Sequence, residues 1–203
     1  MDKDGDGAIA VGDNTLDDHG DLVVLGNNTP RFQYGLSANA SWKGFDFSML
    51  WQGVARRDLD VRTRGTFRGP ADAQMHATCY VEHLDYWRDD TSPLGANPDA
   101  YFPRPYSEYT GSNDKNFGYP TDRYLQNGAY IRLKNVQIGY TIPAKITRKV
   151  HVSNARIYVS GENLLTFTKL MFYDPEAFSG RYYGPGDAYP LSRTISLGIN
   201  INF

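Results

Sequence analysis

A single cysteine, Cys79, in 203 residues leaves no disulfide framework and no thiolate metal cluster to build on. No run approaches the ~20 apolar residues of a membrane helix. That absence does not touch strands of alternating hydropathy, whose signal is weak. Charge of one sign is not in excess: 21 Lys and Arg face 23 Asp and Glu, a net of -2, which argues against a protein built to hold nucleic acid. A basic, apolar leader is also missing, because the chain opens Met1-Asp-Lys-Asp. An exported protein with this sequence would therefore need its true start upstream. No nucleophile elbow, phosphate loop or dinucleotide fingerprint occurs, so no enzymatic activity is expected. Aromatics, in contrast, are plentiful: 15 Tyr, 10 Phe and 3 Trp.

Residues 1–30 are acidic and rich in Gly and Asn, and read as loop. From Arg31 the pattern turns to period two. Phe32, Tyr34, Leu36, Ala38, Ala40 and Trp42 fall on one face, and Lys43-Gly44 forms a tight turn. Phe45, Phe47, Met49 and Trp51 then alternate with Asp46, Ser48, Leu50 and Gln52, which predicts a hairpin. Residues 54–127 keep no period and hold six prolines, with short helical pieces expected around Asp72 to Tyr86. A third strand is expected over Tyr130 to Ile142, irregular where Arg132 and Lys134 share the nominal face of Val136 and Ile138. A fourth is expected over Asn154 to Thr166. A second long loop, 167–191, precedes a last strand in which Ile195, Leu197, Ile199, Ile201 and Phe203 share a face.

Strands of about 10 residues at about 3.3 Å each, tilted near 45°, project to about 24 Å, against an apolar band of about 25 Å in outer-membrane barrels. The expected fold is therefore all-β: an antiparallel transmembrane β-barrel segment of about five long strands, open in this fragment, with long extracellular loops. Its apolar belt would run through Phe32, Trp42, Phe47, Trp51, Ile138, Val159, Leu197 and Ile199. The rival is a soluble β-rich carbohydrate-binding module whose aromatics gather in one groove.

Several motifs carry a resemblance. The run from Tyr130 to Pro143, YIRLKNVQIGYTIP, resembles the YLRLKNLTLGYTLP signature of SusC/RagA-type TonB-linked outer-membrane proteins. Residues 156–168, RIYVSGENLLTFT, are similar to the family's RVYVSGQNLFTFT, and Tyr173 to Glu176 matches the end of its GYDPE, with Phe172 in place of Gly. Tyr189-Pro190 with Arg193-Thr194 resembles the YPxxRT before the last strand, and Asp4 to Gly7, Pro30 to Gly35 and Lys43 to Asp46 keep the family's order. The resemblance implies a plugged barrel of about 22 strands, of which residues 31–203 would be the carboxy-terminal part and residues 1–30 an extracellular loop. It also implies an importer of glycan or peptide in the outer membrane of a Bacteroidetes-type cell, in contact with outer-membrane lipid. Long loops would face outward and the carboxy terminus the periplasm. The implied partners are a SusD/RagB-like lipoprotein and a TonB complex that acts through an amino-terminal segment missing here.

Asp2, Asp4, Asp6 and Asp13 occupy positions 1, 3, 5 and 12 of a calcium-loop pattern, with Gly7 at the sharp turn. Asp13 stands where the pattern has Glu, which shortens bidentate reach. These four are the candidate ligands of a structural calcium ion. The loop aromatics Tyr101, Phe102, Tyr106, Tyr109, Phe117, Tyr119 and Tyr124 are expected to pack the loop on itself singly and to make contacts as a group. Arg156, Glu162, Asn200 and Asn202 are expected to face the lumen. Lys145, Arg148, Lys149 and His151 read as a solvated turn. His76 and His83 flank Cys79 at a spacing that matches no zinc site.

Overall fold

The computed structural model describes residues 2, 3, 5, 7, 8, 10–13, 15–62, 67–72, 79–106, 117, 119–178 and 189–203. The period-two stretches form five long strands: β1 (Phe32–Trp42), β2 (Phe45–Ala55), β5 (Tyr130–Thr141), β6 (Asn154–Thr168) and β7 (Thr194–Asn202). They pair antiparallel in the order β1-β2-β5-β6-β7. Two short strands, β3 (Asp58–Asp60) and β4 (Leu125–Asn127), pair with each other beyond the β2–β5 end of the sheet. At the β1–β2 turn, Lys43 and Gly44 take φ of 47° and 89°. Positive φ at both centres matches the twist of the flanking strands. Pro143 ends β5, a single helical turn α1 (Ala144–Thr147) follows, and left-handed His151 closes a 3-10 turn, Arg148–Val150.

Register places like with like. Phe47 opposes Ala40 and Ile138, Ile138 opposes Val159, and Val159 opposes Leu197. One face is therefore apolar across all five strands. On it Phe32, Trp42, Ile138, Val159, Leu197 and Ile199 are exposed, while Phe47 and Trp51 are half-buried. The opposite face is polar. There Arg156 on β6 reaches across Gly139 on β5 to pair with Asp46 on β2. A Cβ at Gly139 would collide with the Arg156 guanidinium, so the bare glycine is what lets the pair cross the middle strand.

The irregularity at Lys134 is a bulge. Leu50 opposes Asn135 and Trp51 opposes Leu133, which leaves Lys134 as an extra residue against β2. One extra residue reverses the alternation. Arg132 therefore lies not with Val136 but opposite Gln52 and Thr166 on the polar side. On β6, Asn163 takes φ of 51° beside the matching break.

The described parts of the connections pack together. Leu59, Val61, Phe67, Phe102, Phe117 and Tyr124 join Leu170, Tyr173 and Phe178 in one buried core. Phe67 is fully buried, and its ring lies 5.3 Å from Phe102 and 5.6 Å from Tyr124, tilted or edge-on. Burial of each such ring is worth about 1.5–3 kcal/mol. The 3-10 turn Val81–Leu84 is pinned here by buried His83, whose Nδ1 accepts the Tyr80 N–H at 2.9 Å while Nε2 lies 3.0 Å from the Phe67 carbonyl.

The expectation of a transmembrane β-barrel segment, open in this fragment and with long extracellular loops, is corrected by these findings. Among the described residues β1 and β7 are not paired and no barrel closes, so the two edges stay open. The buried core sits in a compact lobe made by the connections, secured by buried ion pairs, and not behind the sheet. The misreading has a physical cause. Long strands with one apolar face are common to many antiparallel sheets, and neither length nor alternation specifies closure or a bilayer. Among the described residues no helix is long and apolar enough to cross a membrane.

Candidate functional site

A charged cluster ties the lobe to the sheet. Arg132 donates from Nε to Thr166 Oγ1 at 2.8 Å and from Nη2 to Asp174 Oδ2 at 2.7 Å. Its Nη1 faces Glu176 Oε1 at 3.4 Å, and Lys134 Nζ donates to Glu176 Oε2 at 2.8 Å. Asp174 also accepts the Glu176 and Leu191 N–H groups. Side-chain exposure is 3% for Arg132 and 8% for Asp174, so this pair is removed from water. Burial is the largest single influence on Asp174 and opposes ionisation. The Arg132 hydrogen bond, the Glu176 N–H, the Arg132 charge and the Leu191 N–H together outweigh it and hold the carboxyl below its usual range.

The lobe surface carries a cavity of about 580 Å³, within the range typical of small-ligand sites. Buried Phe102 and Tyr124 form its floor, and Trp87 and Tyr106 stand in its wall with Arg104 and Arg123. A second cavity of about 430 Å³ adjoins it, shares Trp87 and Arg104, and adds Tyr86, Arg88 and Asp89. Backbone pairing sets this geometry. Trp87 N–H donates to the Phe102 carbonyl, Phe102 N–H to that of Asp85, and Arg88 and Asn97 exchange N–H and carbonyl. Arg123 grips the Tyr101 carbonyl at 3.1 Å and that of Ala100. Arg88 donates to the Gly95 and Leu84 carbonyls at 3.0 and 3.1 Å. The Asn97 amide and then the Tyr101 N–H hold the Asp85 carboxyl below its usual range, with the charges of Arg88 and Arg123 adding to the effect. The Thr91 hydroxyl does the same for Asp89, joined by the Thr91 N–H and the charge of Arg104, which pairs with Asp89 at 3.5 Å.

The residues singled out in the sequence separate into groups. Asp2 accepts the Gly5 and Gly7 N–H groups at 2.6 and 2.9 Å, and Asp13 donates its N–H to Asp18 at 3.2 Å. Asp4 and Asp6 lie outside the described residues, as do His76 and Tyr109. Among the described residues no three His, Cys, Asp or Glu side chains gather to hold a metal. Asp21, not singled out, ties the segment by accepting the Lys3 and Ala10 N–H groups. Of the loop aromatics, Phe102, Phe117 and Tyr124 are core, Tyr101 packs against that core, Tyr106 lines the cavity and Tyr119 is exposed. Arg156, Glu162, Asn200 and Asn202 share the polar face of the sheet, with Arg156 bound to Asp46, and no lumen is enclosed. Lys145, Arg148, Lys149 and His151 are exposed on and after α1. His83 is a buried structural residue and Cys79 an exposed free thiol.

Trp87, Arg104 and Arg123 carry no signal in the sequence, whereas Asp174 stands in the Tyr173 to Glu176 motif and answers the two basic residues on the nominally apolar face of β5.

No protein-family model matches the chain. Curated relatives do. TonB-dependent receptor P26 of Formosa agariphila is 29% identical over 211 positions, and TonB-dependent receptor P3 of the same organism is 31% identical over 215, each covering 100% of this chain. The chain is homologous to part of the TonB-dependent receptors. It spans about a fifth of the length of these relatives, 19% and 18%. Among solved structures, the RagAB peptide transporter superposes with a TM-score of 0.63 at 25% identity, covering 89% of this chain and 18% of that one. The RagAB peptide importer in its open-open state superposes with a TM-score of 0.61 at 24% identity, over 88% of this chain and 18% of that one, which shows a shared fold. Against that background, the sheet signature around Arg132 and the Tyr-Asp-Pro-Glu motif are two ends of one ion-pair cluster.

Replacing Arg132 with Ala should destabilise the protein by about 3–5 kcal/mol in urea unfolding, because buried Asp174 loses its partner. The pH dependence has a definite sign. A carboxyl held low in the folded state stabilises above its unfolded value of about 3.9, and this is lost as pH falls through the lowered folded value. The gap in melting temperature between wild type and Asp174→Asn should thus begin to narrow as pH falls below about 4 and close only below the lowered folded value, measured by circular dichroism.

Proposed function

We propose that the chain is part of a SusC/RagA-type TonB-dependent receptor that takes up oligosaccharide or peptide at the outer membrane of a Bacteroidetes-type cell. Homology along the whole chain to TonB-dependent receptors carries this reading. A SusD/RagB-like lipoprotein is the proposed partner; likeness to RagAB structures supports it. A TonB complex would act on another part of the receptor. The contribution of this chain is its lobe, turned outward, whose aromatic cavity meets the nutrient.

A second reading, a β-rich carbohydrate-binding module, is favoured by one observation: the lobe has its own buried core and displays an aromatic cavity. Antibodies against the lobe, used on fractionated native cells, separate the two. The receptor reading expects the antigen in the outer-membrane fraction, co-purifying with a lipoprotein. Antigen found in the periplasm or medium without that partner overturns it in favour of the module.

Asp2, Asp4, Asp6 and Asp13 are proposed to hold a structural calcium ion, on the strength of their spacing. Extracellular calcium sites bind at about 10⁻⁴–10⁻³ M. Calorimetric titration of the chain should show binding in that range and its loss in Asp2→Asn; no heat up to several millimolar would end the idea.

A further inference from the structure

The paired cavities around Trp87 have a chemistry that selects a ligand class, on the reading above that the lobe meets the nutrient. We propose that they bind an acidic saccharide, with sugar rings against Trp87 and Tyr106 and a carboxylate at Arg104 and Arg123. Charge comes first. The larger cavity is lined by two guanidinium groups and, among the described residues, by no carboxylate. Guanidinium forks match carboxylate geometry. Arg123 is already fixed by two carbonyls, so its charge is held in place. The side chain of Arg104 is 58% exposed and stands where the two cavities meet.

Shape and surface come second. Trp87 lines both cavities and is 38% exposed, so its ring can be reached from solvent. Pro98 and Pro103 complete a rigid apolar wall. Stiff rings offer contact area at low entropic cost, and the C–H faces of sugar rings fit flat aromatic surfaces. The combined volume accommodates more than one ring, whereas a free inorganic anion would leave it largely empty. Peptide is disfavoured by the backbone. Strand addition needs open N–H and carbonyl groups, whereas the N–H groups of Trp87, Arg88, Asn97 and Phe102 and the carbonyls of Arg88, Asn97 and Phe102 are paired internally.

Asp89 supplies the discriminating test. It competes for Arg104 at 3.5 Å, and its Oδ1 caps the Thr91 turn. Asp89→Asn keeps an Oδ1 for the cap and removes the competing charge. The full chain is titrated calorimetrically with the trimer of galacturonic acid, the trimer of galactose and tri-glutamate. The acidic sugar should bind at least about tenfold tighter than the other two. Arg104→Gln and Trp87→Ala should each weaken it about tenfold or more, and Asp89→Asn should tighten it about threefold; a purely structural role for these residues predicts no tightening. Melting curves confirm folding, and Trp87→Phe, expected to retain most of the affinity, replaces the alanine variant if that one unfolds. Equal binding of the neutral sugar or the peptide overturns the proposal, as does an affinity indifferent to Arg104→Gln and Asp89→Asn, or no binding of the acidic trimer. Each of those results leaves the receptor reading to the fractionation experiment, which does not depend on this cavity.

Discussion

Arg132 is the point at which sheet and lobe become one body. Its guanidinium is used on three sides, by Thr166 within the sheet and by Asp174 and Glu176 beyond it. A buried charge of this kind is tolerated only while its partners are in place. The chain from Leu170 to Phe178 therefore has to dock if Arg132 is to be buried, and that docking delivers Tyr173 and Phe178 to the aromatic core. The lobe is thus stabilised by apolar area but located by electrostatics. The cluster thereby helps to set where the lobe stands relative to the sheet.

The cluster in turn depends on a defect in the sheet. Without the extra residue at Lys134, the alternation of β5 would send Arg132 to the apolar face with Val136 and Ile138. The bulge spends one ladder position to turn one side chain around, and Asn163 accommodates the matching irregularity on β6.

This explains what could be read from the sequence. The five long strands and the Lys43-Gly44 turn were legible because period-two alternation and turn chemistry are local signals. The helical pieces near Asp72 to Tyr86 were legible in part, as 3-10 turns at Gly69–Asp72 and Val81–Leu84. Closure and a bilayer setting were not legible, because alternation is silent about what an apolar face meets. The lobe was missed because its core is assembled from residues far apart, Phe67, Phe117 and Tyr173 among them, with no period between them. The cavity was missed for a related reason: Trp87 and Arg104 meet only because Tyr86 and Phe102 form a backbone bridge. Of the loop aromatics, Phe102, Phe117 and Tyr124 pack the loop on itself as their types suggest, yet nothing in the spacing told Tyr106 at the cavity or exposed Tyr119 from them.

The way Arg88 and Arg123 are used sets a rule for how this lobe can drift over generations. Each threads two carbonyl oxygens with a single planar fork, and so splices backbone segments that no regular ladder joins. A lysine ammonium is a point donor without that fork. Exchange of arginine for lysine breaks no such fork at Arg148 on its exposed turn, but would unstitch the lobe at Arg88 and Arg123. Descendants of this sequence can therefore vary the charge pattern of the turn freely, while the lobe keeps its arginines for their shape.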